Sequence, residues 1–99
     1  MPTTVVNIHK KSYDVYIGRR GHGFDGYFGN PFPLEHESKR EEVLAQFKQY
    51  FYMRLGADPQ FRQQIETLQD KRLGCFCKPK PCHGDVIAEY LNSLPTAGQ

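Results

Sequence analysis

Leu-Gly-Cys-Phe-Cys-Lys-Pro-Lys-Pro-Cys-His-Gly-Asp-Val-Ile-Ala-Glu-Tyr-Leu, residues 73–91, holds all three cysteines of the chain and one of its four histidines. The stretch reads as a short strand, a proline-punctuated turn and an amphipathic helix. On a strand, Cys75 and Cys77 share one face while Phe76 points to the other. Cys82 and His83 fall at the start of the helix, where free backbone N–H groups and the positive end of the dipole favour an anion or a thiolate. A strand running straight into a helix is the repeating unit of α/β folds, and this junction gathers the chain's soft ligands.

The preceding sequence supplies the rest of the layer. Residues 3–9 alternate Thr4, Val6 and Ile8 against Val5, Asn7 and His9, and Lys10-Lys11-Ser12 closes that strand. A second strand over 13–18 puts Tyr13, Val15 and Ile17 on one face. Residues 18–33 form a long loop with Gly18, Gly21, Gly23, Gly26 and Gly29, ending in Pro31 and Pro33. Ser38-Lys39-Arg40-Glu41 reads as a capping box, followed by a stripe of Leu44, Phe47, Phe51 and Leu55 that stops at Gly56. Asp58-Pro59 opens a further helix with Phe61, Ile65 and Leu68 inward. Residues 72–77 make the third strand and 82–94 the last helix, closed by Pro95. The order β-β-loop-α-α-β-α predicts one α/β domain over 1–95, Rossmann-like in the broad sense. It has about three main strands with helices packed against them, and a disordered tail at 96–99. In such sheets ligands collect beyond the carboxyl ends of the strands. Parallel pairing of the second and third strands would place Arg19, the glycine loop and the cysteines on one rim.

Composition narrows the class. Ninety-nine residues with 38% apolar and 13% aromatic side chains describe a globular chain, and a net charge of +2 is too small to indicate nucleic-acid binding by itself. No apolar run approaches a membrane span, and Met-Pro-Thr-Thr lacks the architecture of a signal peptide. An odd number of clustered cysteines argues for a reducing cytosol over a disulfide framework. The expectation is a cytoplasmic protein with no membrane partner.

Several ordered segments resemble a known family. Ile17-Gly18-Arg19, Gly29-Asn30-Pro31-Phe32, Ser38-Lys39-Arg40-Glu41 and Cys75-Phe76-Cys77-Lys78-Pro79-Lys80-Pro81-Cys82-His83-Gly84-Asp85 look like the motifs of domain of unknown function family 4326, from about residue 5 to residue 92. That family is found in bacteria and bacteriophages, so the resemblance implies the cytoplasm of a bacterium or of a phage-infected host cell. Phe76 stands where the family often has tryptophan. The Cys-x-Cys…Cys-His-Gly-Asp segment is more distantly similar to the Cys-x-Glu…Cys-His-Arg segment of domain of unknown function family 488, whose fold is Rossmann-like. Neither family carries a reaction, so the resemblance leaves open whether the protein is an enzyme. Arg19 and Asn30 coincide with motif positions and are carried over as ligand-binding residues.

Three readings of the cysteines stand side by side. Cys75, Cys77, Cys82 and His83 offer a tetrahedral zinc set, although zinc fingers space paired cysteines by roughly two to four intervening residues. Alternatively Cys82 is a thiolate activated at a helix N-terminus, with His83 and Asp85 as acid/base partners. In the third reading the cysteines are small buried residues at a tight strand end. Gly84 in the first helical turn suggests close approach of a ligand to the backbone, while Asp85 suits the dipole on structural grounds alone.

Within the glycine loop, glycines admit a phosphate, arginines pair with it, and Tyr27 or Phe28 can stack on a base. The bland alternative is a surface loop with Phe24 and Phe28 turned into the core; Arg20 and His22 have no motif support. Tyr50 and Tyr52 cannot both join Phe51 on one helix face, so they mark a homodimer contact or partial burial beneath loops. Lys39, Arg40, Lys48, Arg54, Arg62, Lys71 and Arg72 are interspersed with acids and read as solvated surface. The leading functional expectation is a site for a phosphate-bearing ligand, a nucleotide or nucleic-acid end. Arg19, Asn30, Cys77 and Gly84 contact the ligand, and Cys82, His83 and Asp85 carry any chemistry. The competing expectation is a non-catalytic, zinc-stabilised module that binds nucleic acid or protein.

Overall fold

A computed structural model describes residues 2–19, 26–76, 78 and 80–94. Three strands form one sheet: β1 (Thr4–Asn7), β2 (Val15–Tyr16) and β3 (Arg72–Cys75). β3 is central, in the order β1-β3-β2, and both neighbours run parallel to it. The register sets Val5 and Val15 beside Leu73, and Val6 and Tyr16 beside Gly74. Three helices complete the described elements: α1 (Arg40–Ala57), α2 (Pro59–Glu66) and α3 (His83–Asn92). The α/β expectation therefore holds. None of the described helices is long and apolar enough to cross a membrane.

The two outer strands are consecutive in sequence, so residues 8–14 must cross β3 to join them. They cross without a helix, lying directly on the strand. A Cβ at Gly74 would sit 2.7 Å from both Ile8 Cγ2 and Tyr13 Cγ, so only glycine admits the crossing. Asp14 closes it: its N–H donates to Arg72 O at 2.8 Å, and its Oδ2 accepts from Arg72 N at 2.8 Å. The Arg72 backbone bond, then the Arg72 guanidinium, holds the Asp14 carboxyl below its ordinary pKa. The strong bend that this short link demands leaves β2 only two residues long, against the expected run over 13–18.

The helices cover the other face. Leu73 and Cys75 point into a core with Ile17, Phe47, Phe51, Ile65, Ile87 and Leu91. Gly84 lets α3 settle on the sheet, since a Cβ there would lie 2.6 Å from Ile17 Cδ1 and 3.0 Å from Val5 Cγ1. Thr3 and Asn92 pin the far end of α3 to the start of β1, with Thr3 N donating to Asn92 Oδ1 at 2.8 Å and Asn92 Nδ2 to Thr3 O at 3.0 Å. Asp58 caps α2 as expected: its Oδ1 accepts from Phe61 N at 3.1 Å, with Pro59 in the first turn. It also closes α1, which runs past Gly56 to Ala57.

Other expectations need correction. Ser38 lies inside a 3₁₀ turn (Glu37–Lys39), so Ser38 and Glu41 form no capping box, and Lys39 precedes α1 without a side-chain cap. Glu37 organises that entry through Arg40. Val43 takes the buried place assigned to Leu44, which is half-buried on the flank. Arg40 and Arg54 do not belong with the solvated charges. The Arg40 side chain is 14% exposed, and the Arg54 guanidinium lies 4.0 Å from the Phe61 ring centroid. Tyr50 packs edge-on against Phe32, while Tyr52 stays 44% exposed beside Phe51 and Tyr90. Residues 20–25, with Arg20, His22 and Phe24, and the tail after 94, with Pro95, lie outside the described residues, as does Cys77.

Candidate functional site

A cleft of about 290 Å³ opens where β2 and β3 end. β2 ends at Tyr16, and the chain continues through Ile17, so Tyr16, Gly18 and Arg19 reach the cleft; Cys75, the last residue of β3, and Phe76 after it reach the same rim. The first residues of α3, Cys82 and His83, form another side. Opposite them, α1 contributes Arg40, Val43 and Leu44, and the loop before it contributes Asn30 and Leu34. The parallel pairing of β2 with β3 is what assembles these segments. Arg19, Asn30, Cys82 and His83 thus come together as the sequence suggested. Asp85 and Gly84 do not border the cleft, and Cys77 falls outside the described residues.

The Arg19 guanidinium donates to Asn30 O and, at 2.6 Å, to Phe32 O, and its own carbonyl accepts from Tyr16 Oη at 3.0 Å. Carbonyl oxygens orient a guanidinium without neutralising it. Asn30 is buried, and its Oδ1 accepts from Phe32 N at 2.8 Å, so this side chain shapes the turn that Arg19 holds. The two glycines of this rim serve chain-to-chain packing. A Cβ at Gly29 would meet Gly18 O at 2.7 Å, and one at Gly18 would strike the Tyr16 hydroxyl. Gly84 acts likewise: the close approach it permits is that of the sheet.

His83 departs most from expectation. Expected as a zinc ligand or an acid/base partner of Cys82, it is 6% exposed, edge-on to Phe47, with Nε2 2.6 Å from Ile17 O. Nε2 faces a carbonyl, so it is the donor, and the imidazole ties α3 to the end of β2. Burial pushes the His83 pKa below its ordinary 6.5. The Ile17 bond opposes this, the Arg19 charge reinforces it, and Asp85 and the Phe28 backbone oppose it more weakly. A neutral, buried imidazole with Nε2 engaged is poorly placed to shuttle protons.

Cys82 is the N-cap of α3. Asp85 Oδ2 accepts from Cys82 N at 3.0 Å, and the Cys82 side chain faces the Asp85 amide, the reciprocal arrangement of a capping box. Asp85 Oδ1 meets Lys78 Nζ at 2.5 Å. Both Asp85 oxygens are therefore engaged in holding the turn. Cys75 and Cys82 are buried with their sulfurs 3.2 Å apart. Among the described residues, no three His, Cys, Asp or Glu side chains gather as metal ligands, and His83 Nε2 is committed to Ile17.

Two residues that sequence reasoning passed over shape the site. Arg40 spans it, donating from Nε and Nη2 to Glu37 at 2.8 Å each and from Nη1 to Pro81 O at 2.7 Å. The Arg40 bonds, with help from Lys80 and against some desolvation, hold the Glu37 carboxyl down to about 2. Asn7 anchors the strand ends, donating from Nδ2 to Lys78 O at 2.7 Å and accepting from His9 N at 2.8 Å. Arg40 sits in a segment that carries the family resemblance, which is the signal that could have singled it out. Asn7 looked like an ordinary polar position of an alternating strand.

The model of a domain of unknown function, DUF4326, matches residues 5–93. The chain belongs to that family. It is also similar to an uncharacterized 12.4 kDa protein in the nrdA-td intergenic region of Enterobacteria phage T4, with 40% identity over 90 residues, 91% of this chain and 78% of the phage protein. No solved structure matches the chain. The segments on which the resemblance was read meet at this cleft: Gly18, Arg19 and Asn30 on one side, and Cys75, Phe76, Cys82 and His83 on another.

Proposed function

We propose that this DUF4326 protein binds a small ligand with an anionic group and a flat apolar body, a nucleotide or nucleic-acid end, in the cleft at the strand ends. The supporting observation is that Arg19 and Arg40 border one concavity whose lining also includes the apolar side chains of Leu34, Val43, Leu44 and Phe76. Guanidinium groups recognise phosphate oxygens through paired N–H donors, and their fixed positions lower the ordering cost of binding. Phe76 is 43% exposed, with Tyr16 edge-on at 5.9 Å and the His9 ring 5.3 Å away, so it adds aromatic surface at the mouth. The reading is one of binding. His83 and Asp85 hold structure, which leaves Cys82 as the residue of the expected catalytic set with unassigned chemistry.

Thermal unfolding tests it. A nucleoside monophosphate at about one hundred times its Kd should stabilise the protein by about 2.7 kcal/mol, several degrees or more in Tm for a domain of this size. Inorganic phosphate and the bare nucleoside should each do less. Arg40→Gln should reduce the shift, while Arg62→Gln, on an exposed pair with Glu66, should leave it intact. Absence of any shift with mononucleotides and short single strands would remove the proposal.

A further inference from the structure

We propose that Cys75 and Cys82 are a dithiol site that closes to an intramolecular disulfide by exchange with a low-molecular-weight disulfide. This rests on the sulfur geometry alone and stands whether or not the cleft binds a nucleotide. The two Sγ atoms lie 3.2 Å apart, one at the end of β3 and the other at the N-cap of α3. Each is held by a regular element, so the pair is brought together by the fold and not by a mobile loop. Both cysteines are buried, at 1% and 2% exposure, yet both border the cleft, which gives a small reagent a route to them.

The features that favour a thiolate gather on Cys82. It stands at a helix N-terminus with its sulfur facing the Asp85 amide. Lys78, in the turn between the two cysteines, is held by Asp85 Oδ1. Partial burial pulls the Lys78 pKa down, but the hydrogen bond and charge of Asp85, then Cys82 and Cys75, leave it raised. The Cys82 thiolate attacks one sulfur of the reagent disulfide; that S–S bond breaks, a mixed disulfide forms, and the first reagent thiolate leaves with the proton Cys82 gave up. Cys75 then attacks Cys82 Sγ and expels the second reagent thiolate, which takes the Cys75 proton. The protein loses two electrons and two protons, and the reagent becomes two thiols. An S–S bond of about 2.0 Å in place of the 3.2 Å contact moves the α3 N-terminus toward β3. That movement falls on the side of the cleft formed by His83.

The experiment uses Cys77→Ser, in which Cys75 and Cys82 are the only thiols left. Incubated folded with oxidised glutathione, this variant should lose about 2 Da by intact mass and show no stable glutathione adduct. Cleavage after Phe76 should leave the Cys75 and Cys82 peptides joined. In the wild-type protein, oxidation followed by alkylation should label Cys77 alone, a readout that does not depend on the variant folding. Persistent glutathione adducts, two unreacted thiols, or alkylation falling on Cys75 or Cys82 would each overturn the proposal.

Discussion

The His83 imidazole lies buried, edge-on to Phe47, with Nε2 against Ile17 O. Position 83 lies in the first turn of α3, and first turns are ordinarily wet; what buries this one is the end of β2, distant in sequence but adjacent across the sheet. Because Nε2 donates to Ile17 O, His83→Ala leaves a buried carbonyl without its partner and a gap beside Phe47, costing about 2–4 kcal/mol. Chemical denaturation would show this as a lowered midpoint. The pH dependence follows from the depressed pKa. As pH falls, the unfolded chain takes up the proton before the folded one does. The stabilisation is therefore complete above the ordinary value of 6.5 and is lost as pH drops through the lower folded value. Wild-type stability should decline as pH falls below the ordinary histidine value of about 6.5, and His83→Gln should flatten that decline. An unchanged profile in the variant would show that the imidazole is not the titrating group. Arg19 and Asn30 teach a related lesson. Their positions were legible from the motifs, but their hydrogen bonds run to the backbone of the loop that they organise.

Among the elements, β3 was the easiest to read and the 8–14 crossing the hardest. The alternation of 3–9 and the compact 72–77 run announced strands, and Asp58-Pro59 announced α2 through local chemistry that needs no tertiary partner. Gly74 carries no comparable local signal. Its necessity comes from Ile8 and Tyr13 passing over it, a long-range contact that single-residue propensity cannot encode. Gly74→Ala should therefore destabilise by about 1–3 kcal/mol, the range for overpacking a tight contact, although alanine is the better residue in an isolated strand. Equal or greater stability, measured by urea unfolding, would mean that the connection lies off the strand. The Ser38–Glu41 pattern shows the opposite failure. A capping signature is present, but Glu37 pairs with Arg40 instead and a 3₁₀ turn takes the place of the cap.

For the molecule as a whole, parallel pairing of β2 with β3 turns scattered motifs into one rim. That pairing was inferred from element order and is seen in the sheet. The apolar wall from α1 was not foreseen, because Leu44 was placed in the core stripe and Arg40 among the solvated charges. Both errors lie in the first turn of α1, where Val43 takes the buried place while Arg40 and Leu44 border the cleft; Phe47, Phe51 and Leu55 are buried as expected. We propose above that this cleft receives an anionic, flat ligand. Amide chemical-shift mapping of this 11.5 kDa chain during titration with a nucleoside monophosphate tests it directly. Saturable shifts are expected at Gly18, Arg19, Asn30, Phe76 and His83, with the exposed face of α2 around Arg62 silent. Absence of shifts at the nucleotide concentrations used, or shifts centred on α2 or on the exposed Tyr52 and Met53, would contradict the account.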